Sequence, residues 1–264
     1  MIDIHSHILF DIEGDDGSRS QEMTLEMLKM AVASGTEQMI ATPHINRSNI
    51  VPEWESIQER VEQVNALAQE NNLPIRIHAG GEVQLDYEMM AQLDGKSTRY
   101  CLADSNYILI ELTSQSEPAA VEQMLFELML RGYRPILAHP ERYDRLIHHP
   151  EIILDWMHKG VLTQCNTGSF HGYFGERVQK RVEMIHRHQM ITFLGSDAHR
   201  VEVRTPDTQK AQEALKTLTG SEAFWTACRD NAQHILNNTM VYPDLPSEFK
   251  KAKKTKSFFA RLFG

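Results

Sequence analysis

Pro135-Ile136-Leu137-Ala138-His139-Pro140-Glu141-Arg142 is a short apolar run that ends abruptly in a histidine, an acid and an arginine. A run of this length, bounded by turn residues, reads as a strand covered on both faces. It follows a helical pattern over 117–131, with Pro118 in its first turn and a stop at Gly132. The same unit recurs in both directions. Strands are expected at 2–5, 38–42, 75–80, 107–112, 135–138, 161–166 and 191–195. Helices are expected at 21–34, 53–71, 117–131, 150–159, 176–188, 206–218 and 221–236. Seven such repeats predict an α/β chain built on a closed or nearly closed parallel barrel, with an open doubly wound sheet as the alternative. No low-complexity linker divides the chain, so one domain over 1–248 is expected, followed by a basic, aromatic tail at 249–264.

Residues with metal-binding chemistry fall at the carboxyl ends of these strands. His5 and His7 close the first, His44 follows the second, Glu82 follows the third and Glu111 ends the fourth. His139 ends the fifth, and Asp197 and His199 end the seventh. Carboxyl ends of barrel strands converge on one mouth, where active sites form. Imidazole nitrogen and carboxylate oxygen suit zinc, manganese and iron(II). In an extended backbone residues i and i+2 point the same way, so His5 and His7 can grip one ion. Asp197 and His199 repeat that spacing. Asp15-Asp16-Gly17 lies in the loop after the first strand. It reads either as a turn whose Asp caps the next helix or as a source of one more ligand.

Composition narrows the classes. The 264 residues hold 27 Lys and Arg against 36 Asp and Glu. Six of the basic residues (Lys250, Lys251, Lys253, Lys254, Lys256 and Arg261) lie in the tail, so the body is more acidic still. An acidic body argues against nucleic acid as a partner. Cys101, Cys165 and Cys228 form no C-x-x-C pair, and Met1 runs into Ile2-Asp3-Ile4-His5 without a positive leader. Both features predict a cytoplasmic location. The tail's Phe258, Phe259, Leu262 and Phe263 among lysines would allow weak contact with the inner face of a membrane. The alternative is a frayed soluble terminus.

Ile2-Asp3-Ile4-His5-Ser6-His7-Ile8-Leu9, Asp15-Asp16-Gly17, Ala41-Thr42-Pro43-His44, Ala138-His139-Pro140-Glu141-Arg142-Tyr143 and Gly195-Ser196-Asp197-Ala198-His199 resemble the polymerase and histidinol phosphatase (PHP) superfamily. They are most similar to its bacterial tyrosine-protein phosphatases of capsule and exopolysaccharide loci, over about residues 1–205. The resemblance implies a distorted, TIM-like barrel of seven strands with three divalent ions, usually manganese, with iron, cobalt and zinc also suited. It implies His5, His7, Glu82 and Asp197 around the first ion. A bridging Glu82, with Glu111 and His139, would hold the second; Asp16, His44 and His199 would hold the third. The family pattern has a Pro where Phe10 stands, and Glu13-Gly14 reads as an insertion, so Asp11 and Asp15 remain alternatives to Asp16. Arg142 and Arg204 match family positions and are expected to complement charge on a transferred phosphoryl group; Arg47 is left open.

The expected substrate is a phosphotyrosine-bearing protein, a membrane-associated bacterial tyrosine kinase controlling polysaccharide synthesis. Histidinol phosphatase activity and a catalytically silent regulatory barrel are the competing readings. A cysteine-dependent mechanism is disfavoured, because Gln164-Cys165-Asn166-Thr167-Gly168 lacks the C-x5-R loop. In the loop at 168–175, His171, Phe170, Tyr173 and Phe174 read equally as core packing or as a rim for the phosphotyrosyl ring. His78, His148, His149, His158, His186, His188 and His234 are assigned no role in the chemistry.

Overall fold

In the computed structural model, residues 1–249 are described; the tail's basic and aromatic residues from Lys250 onward lie outside the described residues. All seven expected strand positions are occupied: β1 (Ile2–Ser6), β2 (Gln38–Ala41), β4 (Arg76–Ala79), β6 (Tyr107–Glu111), β7 (Arg134–Ala138), β8 (Leu162–Asn166) and β9 (Phe193–Gly195). Two further strands, β3 (His44–Ile45) and β5 (Glu82–Gln84), bring the described total to nine. His44 and Glu82, expected just beyond the second and third strands, thus begin short strands of their own. Thr42-Pro43 interrupts the segment that begins as β2, because proline has no N–H for the ladder. Gly80-Gly81 interrupts the segment that begins as β4.

Every strand pair is parallel. β1, β2 and β4 form one sheet; β3, β5, β6, β7, β8 and β9 form the other in that order. The parallel strands expected to form one closed or nearly closed barrel are thus divided between two sheets. The first and last strands also meet. Ser6 bridges Ala198, His7 N–H donates to the Ala198 carbonyl at 2.7 Å, and Asp197 N–H donates to the His5 carbonyl at 2.8 Å.

The long helices between strands follow the apolar periodicity: α1 (Gln21–Ala33), α2 (Trp54–Glu70), α4 (Pro118–Leu130), α6 (Pro150–His158), α8 (Glu176–Arg187), α9 (Gln209–Thr219) and α10 (Ala223–Leu236). Three short ones lack a readable repeat: α3 (Tyr87–Gln92), α5 (Asp144–His148) and α7 (Thr167–Phe170). Ser20 caps α1 by accepting from Met23 N–H at 3.2 Å. Capping is thus not the task of Asp15 or Asp16.

Side chains of alternate parity fall into two apolar clusters. Ile108, Ile110 and Leu137 join the cluster containing the helices α1, α2, α4 and α6. Tyr107, Leu109, Ile136, Ala138, Leu162 and Phe193 form a second cluster with Ile2, Ile4 and α10. This is the two-fold alternation of a strand buried on both faces. On β6 the second cluster's parity leads on to Glu111, and on β8 it leads through Gln164 to Asn166. On β1 the register with β2 shifts between Asp3 and Ser6. Such an irregularity re-aims side chains; His5 lies within it and His7 just past it, and both face the same centre as Glu82 and Asp197.

Candidate metal centre

Nine side chains from six strand ends and one loop meet here. Glu82 stands in the middle. Its Oε1 is 2.8 Å from His139 Nε2 and 3.3 Å from His5 Nε2; its Oε2 is 3.1 Å from His44 Nδ1 and 3.4 Å from His7 Nε2. Glu111 approaches His44 Nδ1 at 3.6 Å and His139 Nε2 at 3.9 Å. Asp197 Oδ1 lies 3.6 Å from His5 Nε2 and 3.7 Å from His7 Nε2. Asp16 Oδ1 lies 3.1 Å from His199 Nε2 and 3.4 Å from His44 Nε2.

The ligand-type atoms group as His5, His7 and Asp197; His5, Glu82 and His139; His44, Glu82 and Glu111; and His7, Asp16, His44 and His199, with the atoms of each group within 4.8 Å of one another. All nine residues named from the sequence are brought together. The partition differs in detail from that implied by the resemblance, since His5, His7, His44 and Glu82 each belong to two groups. These residues fit divalent cations. His44 Nδ1 and His199 Nε2 are buried without a hydrogen-bond partner, although each faces a carboxylate oxygen. A buried polar atom left this way is costly, and a cation would satisfy it.

Electrostatics point the same way. Burial alone would push the carboxyls of Glu82 and Asp197 up. The positive charge of His5, the hydrogen bond from His139 and the close approach of His44 outweigh burial and hold Glu82 well below the usual carboxylate range. His5, His139 and His199 do the same for Asp197. Burial would lower His5 and His44, but the surrounding carboxylates raise them to about 9 and about 10. Burial and the neighbouring His7 push His199 down to about 4. Glu111 is raised by burial and by the like charge of Glu82.

Local backbone serves this convergence. His139, Asp197 and Arg204 have φ of 34°, 53° and 50°, a region that non-glycine residues seldom occupy and that clusters at functional sites. Gly17 has no room for a side chain: a Cβ there would lie 2.2 Å from the His7 carbonyl oxygen. One on Gly195 would lie 2.6 Å from His5 Cβ.

Arg142 Nη1 donates to Asp197 Oδ2 at 2.9 Å, and Arg204 Nη1 reaches both oxygens of Asp197 at 3.2 Å. Arg47 pairs with Asp16 at 2.7 Å. All three arginines line a cleft of about 210 Å³ with His44, Glu82, Glu111 and His139. Phe170 is core, whereas the Phe174 ring lies under Arg142 at 5.2 Å and Tyr173 Oη accepts from Arg204 N–H at 2.8 Å. His171 lines a neighbouring cleft with Lys210.

His78 pairs with Gln38 and His158 with the Pro246 carbonyl, both away from the centre. Cys165 is fully buried, and burial and the nearby Glu141 push its thiol well above the ordinary value. Asp15, weighed in the sequence as a cap or a ligand, contacts His7, and two residues that the sequence reading passed over, Gln164 and Asn166, contact His5 and Asp197. For the last two a signal was present: polar residues at i and i+2 on an otherwise apolar strand.

The family model for capsular polysaccharide synthesis, CpsB/CapC, matches residues 1–237. The chain belongs to the CpsB/CapC family. Within that family it is 33% identical to the tyrosine-protein phosphatase YwqE of Bacillus subtilis, over 96% of this chain and 98% of that one. It is 28% identical to the tyrosine-protein phosphatase CpsB of Streptococcus pneumoniae, over 91% of this chain and all of the relative. Among solved structures, one from a study of YwqE and CpsB as metal-dependent tyrosine phosphatases superposes with a TM-score of 0.86 at 32% identity, covering 95% of this chain and 100% of that one. Histidinol phosphate phosphatase from Lactococcus lactis shares the fold, with a TM-score of 0.50 at 14% identity over 83% of this chain and 93% of that one.

Proposed function

We propose that this chain is a metal-dependent protein-tyrosine phosphatase. Its substrate on this reading is phosphotyrosine on a membrane-associated bacterial tyrosine kinase that governs capsule or exopolysaccharide synthesis. The observation that carries the reading is the meeting of nine ligand-type side chains in overlapping groups at one mouth of a CpsB/CapC chain. Three divalent ions, manganese foremost, with iron, cobalt or zinc also suited to such mixed shells, would be held there. His5, His7, Glu82 and Asp197 would hold the first, Glu82, Glu111 and His139 the second, and Asp16, His44 and His199 the third. We read the scaffold, over 1–248, as a distorted seven-stranded barrel. β2 with β3 and β4 with β5 each count as one interrupted strand, and the Ser6–Ala198 bridge supports closure. Among the described residues no helix is long and apolar enough to cross a membrane. The location read from the sequence is cytoplasmic.

When bound, divalent ions neutralise phosphate charge and activate water. The chain's own residues orient and complement the substrate. Arg142 and Arg204 stand where bidentate donors could meet the equatorial phosphoryl oxygens. Phe174 and Tyr173 offer an aromatic wall beside them for the substrate ring. Tyrosine leaves as a phenolate with a pKa of about 10, so strong protonation of the leaving group is unnecessary.

The test compares phosphotyrosyl peptide, phosphoseryl peptide and histidinol phosphate, each with manganese and with chelator. Manganese-dependent preference for the phosphotyrosyl peptide is expected. Preference for histidinol phosphate would overturn the substrate assignment, and metal binding without hydrolysis of any of the three would mark a silent regulatory barrel.

A further inference from the structure

β8 carries no residue of the nine, yet two of its polar side chains are fully buried beside them. Gln164 and Asn166 point to the same side of the strand and connect His5 with Asp197. Asn166 Nδ2 donates to Asp197 Oδ2 at 2.7 Å, Gln164 Nε2 donates to Asn166 Oδ1 at 3.0 Å, and Gln164 Oε1 lies 2.9 Å from His5 Nδ1.

The direction of this chain follows from chemistry. An ionised carboxylate only accepts hydrogen bonds, so Asn166 must turn its NH2 towards Asp197. Its carbonyl oxygen then faces Gln164, which must answer with its own NH2. The Gln164 carbonyl oxygen is left facing His5, and Nδ1 must be the donor. The other ring nitrogen, Nε2, is thereby unprotonated in a neutral ring and directed at Glu82 and Asp197, 3.3 and 3.6 Å away. A hydrogen bond to one imidazole nitrogen commonly fixes which nitrogen meets a metal.

We propose that Gln164 and Asn166 are positioning residues that hold His5 as its Nδ1–H tautomer and present Nε2 to a divalent cation. The inference rests on the metal reading above. It assigns a task to the strand of the six-stranded sheet that contributes no ligand.

The experiment uses the full chain and Zn2+ as a diamagnetic probe. In 15N-labelled wild type loaded with Zn2+, the His5 Nδ1 resonance is expected to carry a proton; an unprotonated Nδ1 would overturn the relay. In competition with a chelator, Gln164→Leu is expected to bind Zn2+ roughly 10- to 100-fold more weakly. Asn166→Leu, which frees the Gln164 amide to turn over, should weaken it comparably. Gln164→Glu keeps an acceptor opposite His5 and should recover most of the loss, while the protonated His5 Nδ1 is the readout that simple packing at residue 164 does not predict. If Gln164→Leu does not fold, the wild-type spectrum and Gln164→Glu decide. Equal affinity of wild type and Gln164→Leu overturns the relay alone, whereas a wild type that binds no Zn2+ overturns the metal reading and the relay together.

Discussion

Asp15 Oδ1 lies 2.7 Å from Nδ1 of His7, behind the ring, while His7 Nε2 faces Glu82 on the other side. Asp15 also accepts from the His44 and Gly17 backbone N–H groups. Its neighbour Asp16 faces His44 and His199 instead. Two adjacent acids thus face different histidines, and we propose that Asp15 supports His7 while Asp16 completes a ligand group. Asp16→Ala should lower the metal content by about one ion per chain, measured by elemental analysis, and abolish most activity. Asp15→Asn should keep the ion count and weaken affinity by roughly 10- to 100-fold. Equal loss of metal in both would contradict this division.

Arg142 and Arg204 converge on Asp197 from the cleft side. Replacing either with Ala should reduce kcat/KM for a phosphotyrosyl peptide by roughly 10²- to 10³-fold, the usual effect of losing one donor to developing charge. Metal content should stay at the wild-type level. A fall in metal content instead would make the arginines structural partners of Asp197.

Cys165 gives a clean negative control. Its thiol is buried in the core and held far from ionisation, so Cys165→Ser should retain near wild-type turnover with metal bound. The buried hydroxyl should cost stability of about 1–3 kcal/mol, readable as a lower Tm. Loss of nearly all activity with metals still bound would point to a cysteine nucleophile.

The metal-free protein should respond to pH in a definite direction. His5 and His44 rise from 6.5 to about 9 and about 10 in the folded chain. Their contribution to stability is complete below the unfolded value of 6.5 and is lost as pH climbs through the folded values. In chelator, Tm should therefore decline between about pH 6.5 and 10 on their account. Added metal must displace those protons. Loading near pH 7.5 should release protons, detectable as buffer-dependent heats in calorimetry, and apparent metal affinity should rise with pH. Metal binding without proton release would refute the assignment of these two histidines.

The parallel α/β plan was legible because each strand is a short apolar run and each long helix carries its own periodicity, as at 117–131 followed by 135–138. His5, His7, His139, Asp197 and His199 were legible because chemistry placed just beyond an apolar run has few structural explanations. The breaks at Thr42-Pro43 and Gly80-Gly81 were visible as residues. That His44 and Glu82 resume as strands beyond them was not, because pairing depends on a neighbour distant in the chain. α3, α5 and α7 are too short to show a period.

The sequence by itself determined which residue types were available and that they lie at strand ends, since both are local properties of the chain. Tertiary structure decided what each side chain faces. It set Asp15 behind His7 and Asp16 before His199, joined Gln164 through Asn166 to Asp197, and placed Glu82 amid four histidines. Those relations come from strands packed side by side across long separations in sequence, where a displacement of an ångström or two separates a ligand from its support.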